Sequence, residues 1–312
     1  MRRYVFGPVA SRRLGISLGV DLVTPKTCSL DCIYCEAKAT TCLTLERKEY
    51  VPIEQVIAEL DDVLKSSPHL DYITFSGAGE PTLNSRIGDI ADFLKKNYPH
   101  YPLCLLTNGI ALDDPSLQKQ IEKIDRVIPS LDASNQEEFV QINRPAPGVR
   151  FERFVSGLIE FTRRSRAEIF LELFIVPGVN DSPDSIARFA DIIRQMRLNG
   201  VQLNALDRPG IVDWLTPVPP QTVEQFLAAL KPFVPVEPIG KFTAEKDWDI
   251  SDEAGKKLLK SIRKQPSTRE ELEEKTAIPP ERIGVLLDSL CKFGLIQREN
   301  IRGTVIFSAK IE

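Results

Sequence analysis

Lys26-Thr27-Cys28-Ser29-Leu30-Asp31-Cys32-Ile33-Tyr34-Cys35 is the stretch around which the rest of the chain is ordered. Its cysteines are spaced C-x3-C-x2-C, near enough in sequence for three thiolates to wrap one compact metal centre. Residues 15–24, just before it, are apolar and β-branched and read as a strand. The cysteines therefore follow a first strand, at the C-terminal mouth where barrel enzymes place their chemistry.

Five further strand-like runs follow at 72–76, 103–107, 126–131, 168–176 and 201–206. Helical patterns separate them at 53–64, 87–96, 117–124, 151–162 and 185–198. Such alternation predicts a parallel sheet with helices packed outside it. Six units are fewer than the eight of a closed barrel, so the expected α/β fold is an open, partial (β/α)6 barrel. Pro-rich segments at 215–220 and 231–238 then lead to a change of character near Asp249. Three helices are expected at 252–264, 269–275 and 281–293, followed by short strands at 295–298 and 304–308. That order predicts a small winged-helix-like domain over 249–312, after a barrel domain over 1–240.

At 312 residues with 42% hydrophobic and 27% charged side chains, the chain can bury one large core. No apolar run approaches the roughly 18 residues that span a bilayer. The basic N-terminus lacks the apolar stretch of a signal peptide, so a cytoplasmic protein without membrane contact is expected. A net charge of −4 argues against coating nucleic acid by electrostatics alone. The only histidines, His69 and His100, lie in Pro-flanked, turn-like surroundings and support neither a His-ligated zinc nor a His-based triad. Closely spaced cysteines in a reducing compartment point to metal or redox chemistry. Four thiolates would fill a [4Fe–4S] cube; three leave one iron open to a small molecule. A zinc reading needs a fourth ligand, for which Cys42 is the nearby choice. Cys104, in an apolar strand, and Cys291, on an apolar helix face, read as core.

C-x3-C-x2-C with an aromatic residue before its last cysteine resembles the radical S-adenosylmethionine (SAM) superfamily, over roughly residues 15–206. The resemblance implies one [4Fe–4S] cluster on Cys28, Cys32 and Cys35, with SAM chelated to its open iron. It also implies the chemistry: one-electron reduction breaks the sulfur–C5′ bond and yields a 5′-deoxyadenosyl radical that abstracts hydrogen from substrate. Phe75-Ser76-Gly77-Ala78-Gly79-Glu80-Pro81-Thr82-Leu83 looks like the family's Gly-Gly-Glu motif for the SAM amino group. Ala78 stands where the first glycine of the pair often is, so Gly79 and Glu80 carry the motif, with Gly77 beside them. Asn108 ends the third strand at the same mouth. Ser130 and Asp132 resemble positions that reach the SAM ribose or carboxylate, against a competing reading as turn and helix-cap residues. Val179, Asn204 and Tyr34 are implied adenine contacts.

The resemblance extends to relatives of the wyosine-forming tRNA enzymes through the leading segment 6–15, where Arg12 and Arg13 could meet an anionic group. It implies a flavodoxin or ferredoxin type electron donor. By fold-level analogy the substrate is an RNA, with a peptide or protein as runner-up, docked by the C-terminal domain. That domain carries 12 Lys+Arg against 11 Asp+Glu over 249–312, too near neutral for strong nucleic-acid affinity on charge alone. The rival function is a cluster-bearing, redox-sensing regulator whose winged helix reads DNA. The Gly79-Glu80 motif weighs for the enzyme, because a sensor needs no SAM cradle.

Overall fold

A computed structural model describes residues 2–11, 13–205, 211–212, 214–239, 253–279, 283–284, 286–287, 290–291, 295–301 and 304–309. The chain divides into two compact units, Met1–Phe242 and Thr243–Glu312. No described helix is long and apolar enough to cross a membrane.

The large unit is built on an eight-stranded sheet. Strand β1 (Val5–Ser11) lies antiparallel to β2 (Gly15–Val20) at one edge. A side pair, β3 (Thr27–Cys28) and β4 (Cys42–Leu43), carries the cysteine loop apart from the main sheet. From β2 the sheet continues through β5 (Tyr72–Phe75), β6 (Leu103–Thr107), β7 (Arg126–Pro129), β8 (Glu168–Phe174), β9 (Gly200–Asn204) and β10 (Val236–Ile239), all parallel. Its inner strands are apolar on both faces, as Leu103, Cys104 and Leu105 show by being fully buried.

Helices cross between the strands. They are α1 (Ile53–Leu64), α2 (Ile87–Asn97), α3 (Pro115–Gln120), α4 (Gln136–Asn143), α5 (Phe151–Arg164), α6 (Pro183–Ile193) and α7 (Pro220–Leu230). The longer ones carry a buried apolar stripe; in α1 it is Ile53, Val56, Leu60 and Leu64, one face at helical spacing. Asp114 and Ser182 cap α3 and α6 by accepting from Ser116 and Ser185 N–H groups, each ahead of a Pro at the first turn.

The α/β architecture and its six inner parallel strands agree with the alternation in the sequence. Three features differ. Strand β10 makes seven parallel strands rather than six, and its Pro238 is tolerated because an edge strand need not donate on both sides. Strand β1 is an added antiparallel edge. The first parallel strand stops at Val20 rather than at residue 24, where Asp21 turns to accept the Ala78 N–H.

In the small unit, α8 (Glu253–Lys264) and α9 (Arg269–Thr276) precede an antiparallel hairpin of β11 (Ile296–Ile301) and β12 (Thr304–Ala309). Helix α9 opens on a capping box, Thr268 with Glu271, and Ser267 bridges to Phe307 in the hairpin. Leu258, Ile262, Leu272, Ile283, Leu286, Leu287, Leu290 and Phe307 form its own core. The helix expected over 281–293 lies partly outside the described residues; Ile283, Leu286, Leu287 and Leu290 are buried, as its apolar positions predict.

Candidate functional site

The cysteine loop is clamped from two sides. On one, Lys26 N–H donates to the Ala78 carbonyl at 2.8 Å, and Glu80 N–H donates to the Thr27 carbonyl at 3.0 Å. The approach is so close that a Cβ on Gly79 would stand 2.0 Å from the Thr27 oxygen. Only glycine fits there. On the other side, the C-terminal end of α4 supplies the Ile142 and Asn143 carbonyls to Ile33 and Asp31 N–H groups, and just beyond it the Ala146 N–H donates to the Ser29 carbonyl. The Asp31 carboxylate then closes the loop by accepting the Thr40 N–H at 2.7 Å.

Cys28, Cys32 and Cys35 all line one cavity of about 530 Å3. Its walls come from the cysteine loop, the strand ends Ser76–Gly77, Thr107–Asn108 and Asn204–Ala205, and the inward faces of β7 and β8. Val9 and Ser11 of β1 and Ile239 of β10 border it from the sheet's two edges. Two sulfurs receive side-chain amides: Asn108 Nδ2 lies 3.5 Å from Cys28 Sγ, and Asn143 Nδ2 lies 3.3 Å from Cys32 Sγ. The Leu30 N–H also points at Cys28 Sγ, at 3.5 Å. Such donors favour charged sulfur, which is what a metal-bound thiolate is. As free thiols the three are held protonated. Burial, then Glu80, pushes Cys28 up to about 12, and burial raises Cys32 and Cys35.

Among the described residues no group of three His, Cys, Asp or Glu gathers to hold one metal ion. Three soft thiolates facing a roomy cavity, with amide donors on two of them, fit a larger iron–sulfur centre. Cys42 is exposed on β4 and backs the loop through its N–H to the Lys26 carbonyl, outside the cavity wall.

Glu80 is 3% exposed and caps the short 3-10 turn Pro81–Leu83. One carboxylate oxygen, Oε1, accepts from Thr82 N–H, Thr82 Oγ1 and Thr107 Oγ1. The other, Oε2, accepts just the Asn108 N–H, at 2.7 Å, among the described residues, which leaves it a lone pair for the cavity that Glu80 lines. Burial raises this carboxyl above the usual range, against those hydrogen bonds.

Of the expected contacts, Tyr34, Gly77, Gly79, Glu80, Asn108, Ser130 and Asn204 all line this cavity. Asp132 and Val179 do not. Asp132 is buried with both oxygens engaged, by Phe174 N–H at 2.9 Å, Tyr34 Oη at 2.5 Å and Asn143 Nδ2 at 2.8 Å. It orients Tyr34, whose ring stacks on Phe174 at 3.9 Å to form a flat aromatic wall. Val179 packs with Ile33, Phe174 and Leu215 behind that wall.

Other site residues escaped the sequence reading or were met there only in part. Asn143 lies 111 positions from Cys32, and no local pattern announces the contact. Arg13 enters the cavity wall and forms an ion pair with Glu172 of β8, to which Asn204 Nδ2 also donates at 3.3 Å. The adjacent arginines were a signal for Arg13; Arg12 lies outside the described residues.

This fold and this site define a class. Residues 22–190 match the family model described as Radical SAM superfamily, and the chain belongs to that superfamily, whose enzymes use a [4Fe–4S] cluster and SAM. Among individual relatives, a protein named GTPase Obg from Brachyspira hyodysenteriae is 30% identical over 311 residues, covering 98% of this chain. The chain spans 45% of that relative's length. A UPF0026 protein of Methanocaldococcus jannaschii is 26% identical over 274 residues, 86% of this chain and 84% of the relative. A Helicobacter pylori UPF0026 protein is 31% identical over 208 residues, 66% and 67%. Among solved structures, a radical SAM methyltransferase from Sphaerobacter thermophilus superimposes with a TM-score of 0.58 at 16% identity, over 72% of this chain and 66% of its own. Native anSMEcpe with bound AdoMet gives 0.52 at 17%, over 79% and 66%. These two likenesses concern the fold.

Proposed function

We propose that this chain binds a [4Fe–4S] cluster on Cys28, Cys32 and Cys35 and cleaves SAM reductively, on the way to hydrogen abstraction from a substrate. One observation carries the reading: the three thiols share a single cavity with a buried carboxylate, Glu80, that keeps one free lone pair. When bound, cluster and SAM supply the electron and the bond cleavage that generate a 5′-deoxyadenosyl radical.

The residues around them position and shield. Glu80 Oε2 accepts the SAM ammonium, with Gly77 and Gly79 letting the backbone come close. The Tyr34–Phe174 wall gives the adenine a flat apolar face, and Asn204 offers an amide nearby. Asn108 and Asn143 hold charge on Cys28 and Cys32. The Arg13–Glu172 pair lies on the same wall and leaves a polar face for substrate. In this proposal a flavodoxin or ferredoxin type protein delivers the electron. The substrate is an RNA, with a peptide as the alternative, and residues 243–312 recruit it.

The test is anaerobic reconstitution with iron and sulfide, followed by dithionite and SAM, with 5′-deoxyadenosine as the readout. Wild type is expected to show cluster absorption and deoxyadenosine. Cys28→Ala, Cys32→Ala and Cys35→Ala should each reduce product to background. Turnover retained in any of these variants, or a colourless zinc-loaded wild type, would overturn the assignment.

A further inference from the structure

Asp132 lies just past β7, 3% exposed and outside the lining of the cysteine cavity. A buried carboxylate is costly unless hydrogen-bond donors surround it. This one has three, and each comes from a different part of the chain. Oδ1 accepts the Phe174 N–H at 2.9 Å, from the end of β8. Oδ2 accepts the Tyr34 hydroxyl at 2.5 Å, from the cysteine loop, and the Asn143 amide at 2.8 Å, from the end of α4. The Asp132 carbonyl in turn accepts from Asn180 Nδ2, which also donates to the Phe174 carbonyl. Two features of the site hang on this one side chain. Tyr34 and Phe174 both line the cavity, and Asp132 holds the first by its hydroxyl and the second by its backbone, so that their rings stack. The Asn143 amide nitrogen has two hydrogens, and besides Asp132 it lies 3.3 Å from Cys32 Sγ. An acceptor at Asp132 keeps the nitrogen of that amide, not its oxygen, turned toward the sulfur.

We propose that Asp132 is a positioning residue of the SAM site: it sets the ring against which the adenine lies and aims the amide given to Cys32, without touching SAM. This rests on the cluster reading above. It differs from the role of Glu80, which lines the cavity and keeps a lone pair for the ligand. Asparagine at this position has one acceptor oxygen where the carboxylate has two, so it cannot serve both Phe174 and the Tyr34–Asn143 pair. Asp132→Asn therefore loosens the wall and the amide together.

The experiment is a pair of double-mutant cycles on the reconstituted full-length protein, with iron and sulfide content measured in parallel. The first reads SAM cleavage under dithionite. Asp132→Asn should raise the KM for SAM about tenfold with little change in kcat, the size of a lost hydrogen bond to a charged group. Tyr34→Phe, which keeps the ring and removes the hydroxyl, should raise KM in the same direction. The double variant should match Asp132→Asn within about twofold, because the two share one interaction. The second cycle reads the cluster potential by electron paramagnetic resonance. Asn143→Leu removes a donor to sulfur and should titrate more negative than wild type. Asp132→Asn removes a charge in either background, but it can disturb the amide only where Asn143 is present. Its shift should therefore be less positive beside Asn143 than beside Leu at that position. Additive effects in either cycle would overturn the proposal, and additive KM effects would make Asp132 a direct SAM contact. Tyr34→Phe decides the matter even if Asp132→Asn takes up no cluster, since an unchanged KM there would also overturn it. A wild type that assembles no cluster would instead remove the functional reading on which the inference rests.

Discussion

At the scale of single residues, the site depends on how closely two loops approach. Gly79 meets the Thr27 carbonyl where a Cβ would stand 2.0 Å from oxygen and 2.7 Å from Val23 Cγ2. The obstructing oxygen belongs to the backbone and already accepts the Glu80 N–H, so it cannot yield without opening the clamp on the cysteine loop. Gly79→Ala is therefore expected to cost about 1–3 kcal/mol or more by overpacking, and to lower the iron retained after reconstitution. Ala78 is different. It has no positive φ, and its N–H and carbonyl do the work, bonding Asp21 and Lys26. Ala78→Gly, which restores the commoner glycine pair, should cost no more than ~1 kcal/mol of backbone entropy and keep the cluster. Denaturant midpoints and iron content of the two variants check this pair, and a Gly79→Ala protein with wild-type stability and iron would contradict it. The thiols and this glycine were legible in the sequence because their meaning is local, carried by spacing and by a strand end. The surroundings of Asp132 were not legible, because its oxygens accept from Tyr34, Asn143 and Phe174, brought to it by three other parts of the fold.

At the scale of elements, the edge strand β1 completes the cavity wall, and what holds its start is one carboxylate. Glu59 of α1 accepts the N–H groups of Arg3, Tyr4 and Val5 at 2.8–3.0 Å. Burial alone would raise its carboxyl, but those three backbone bonds outweigh it, and the folded-state value lies below the ordinary one. A depressed folded value contributes stability that is present above the unfolded pKa, about 4.3, and lost as pH falls through the folded one. Amide exchange at residues 3–5, corrected for its intrinsic pH dependence, should therefore accelerate only below about pH 4. Glu59→Gln should weaken protection at neutral pH and remove the acid step. An acid step that persists in Glu59→Gln would mean that another group anchors the strand. Strand β1 was not legible in the sequence for a physical reason: Gly7-Pro8 interrupts the alternation, and the pairing with β2 slips between Phe6 and Val9. Strand β10 was hidden in the same way, since Pro235 and Pro238 read as breakers and only the position at a sheet edge makes them acceptable. The six inner strands were legible because strands buried on both faces must be continuous apolar runs.

At the scale of the whole molecule, the proposed function puts chemistry and recruitment in different units. Every residue lining the cavity of the cysteines falls within Met1–Phe242, and the small unit closes its own core from Leu258 to Phe307. A domain holding its own core can fold alone, but modules under roughly 70–80 residues rarely gain more than about 3–5 kcal/mol from it. The full-length protein should therefore melt in two steps, with Thr243–Glu312 first. A chain ending at Phe242 should lose only that first step in calorimetry. It should still take up the cluster and form 5′-deoxyadenosine from SAM without substrate at a rate within about twofold of full length, a factor worth only ~0.4 kcal/mol in the barrier. If residues 243–312 recruit the substrate, coupled turnover, once a substrate is in hand, should fall in the same truncated protein through a raised KM rather than a lowered kcat, because what is lost is binding shared by ground and transition states. A truncated protein that forms no cluster would place part of the metal site's support in the small unit and end the division of labour argued here. A truncated protein with unchanged KM would leave the cluster chemistry standing and assign recruitment to the cavity's own polar wall, where Arg13 and Glu172 lie.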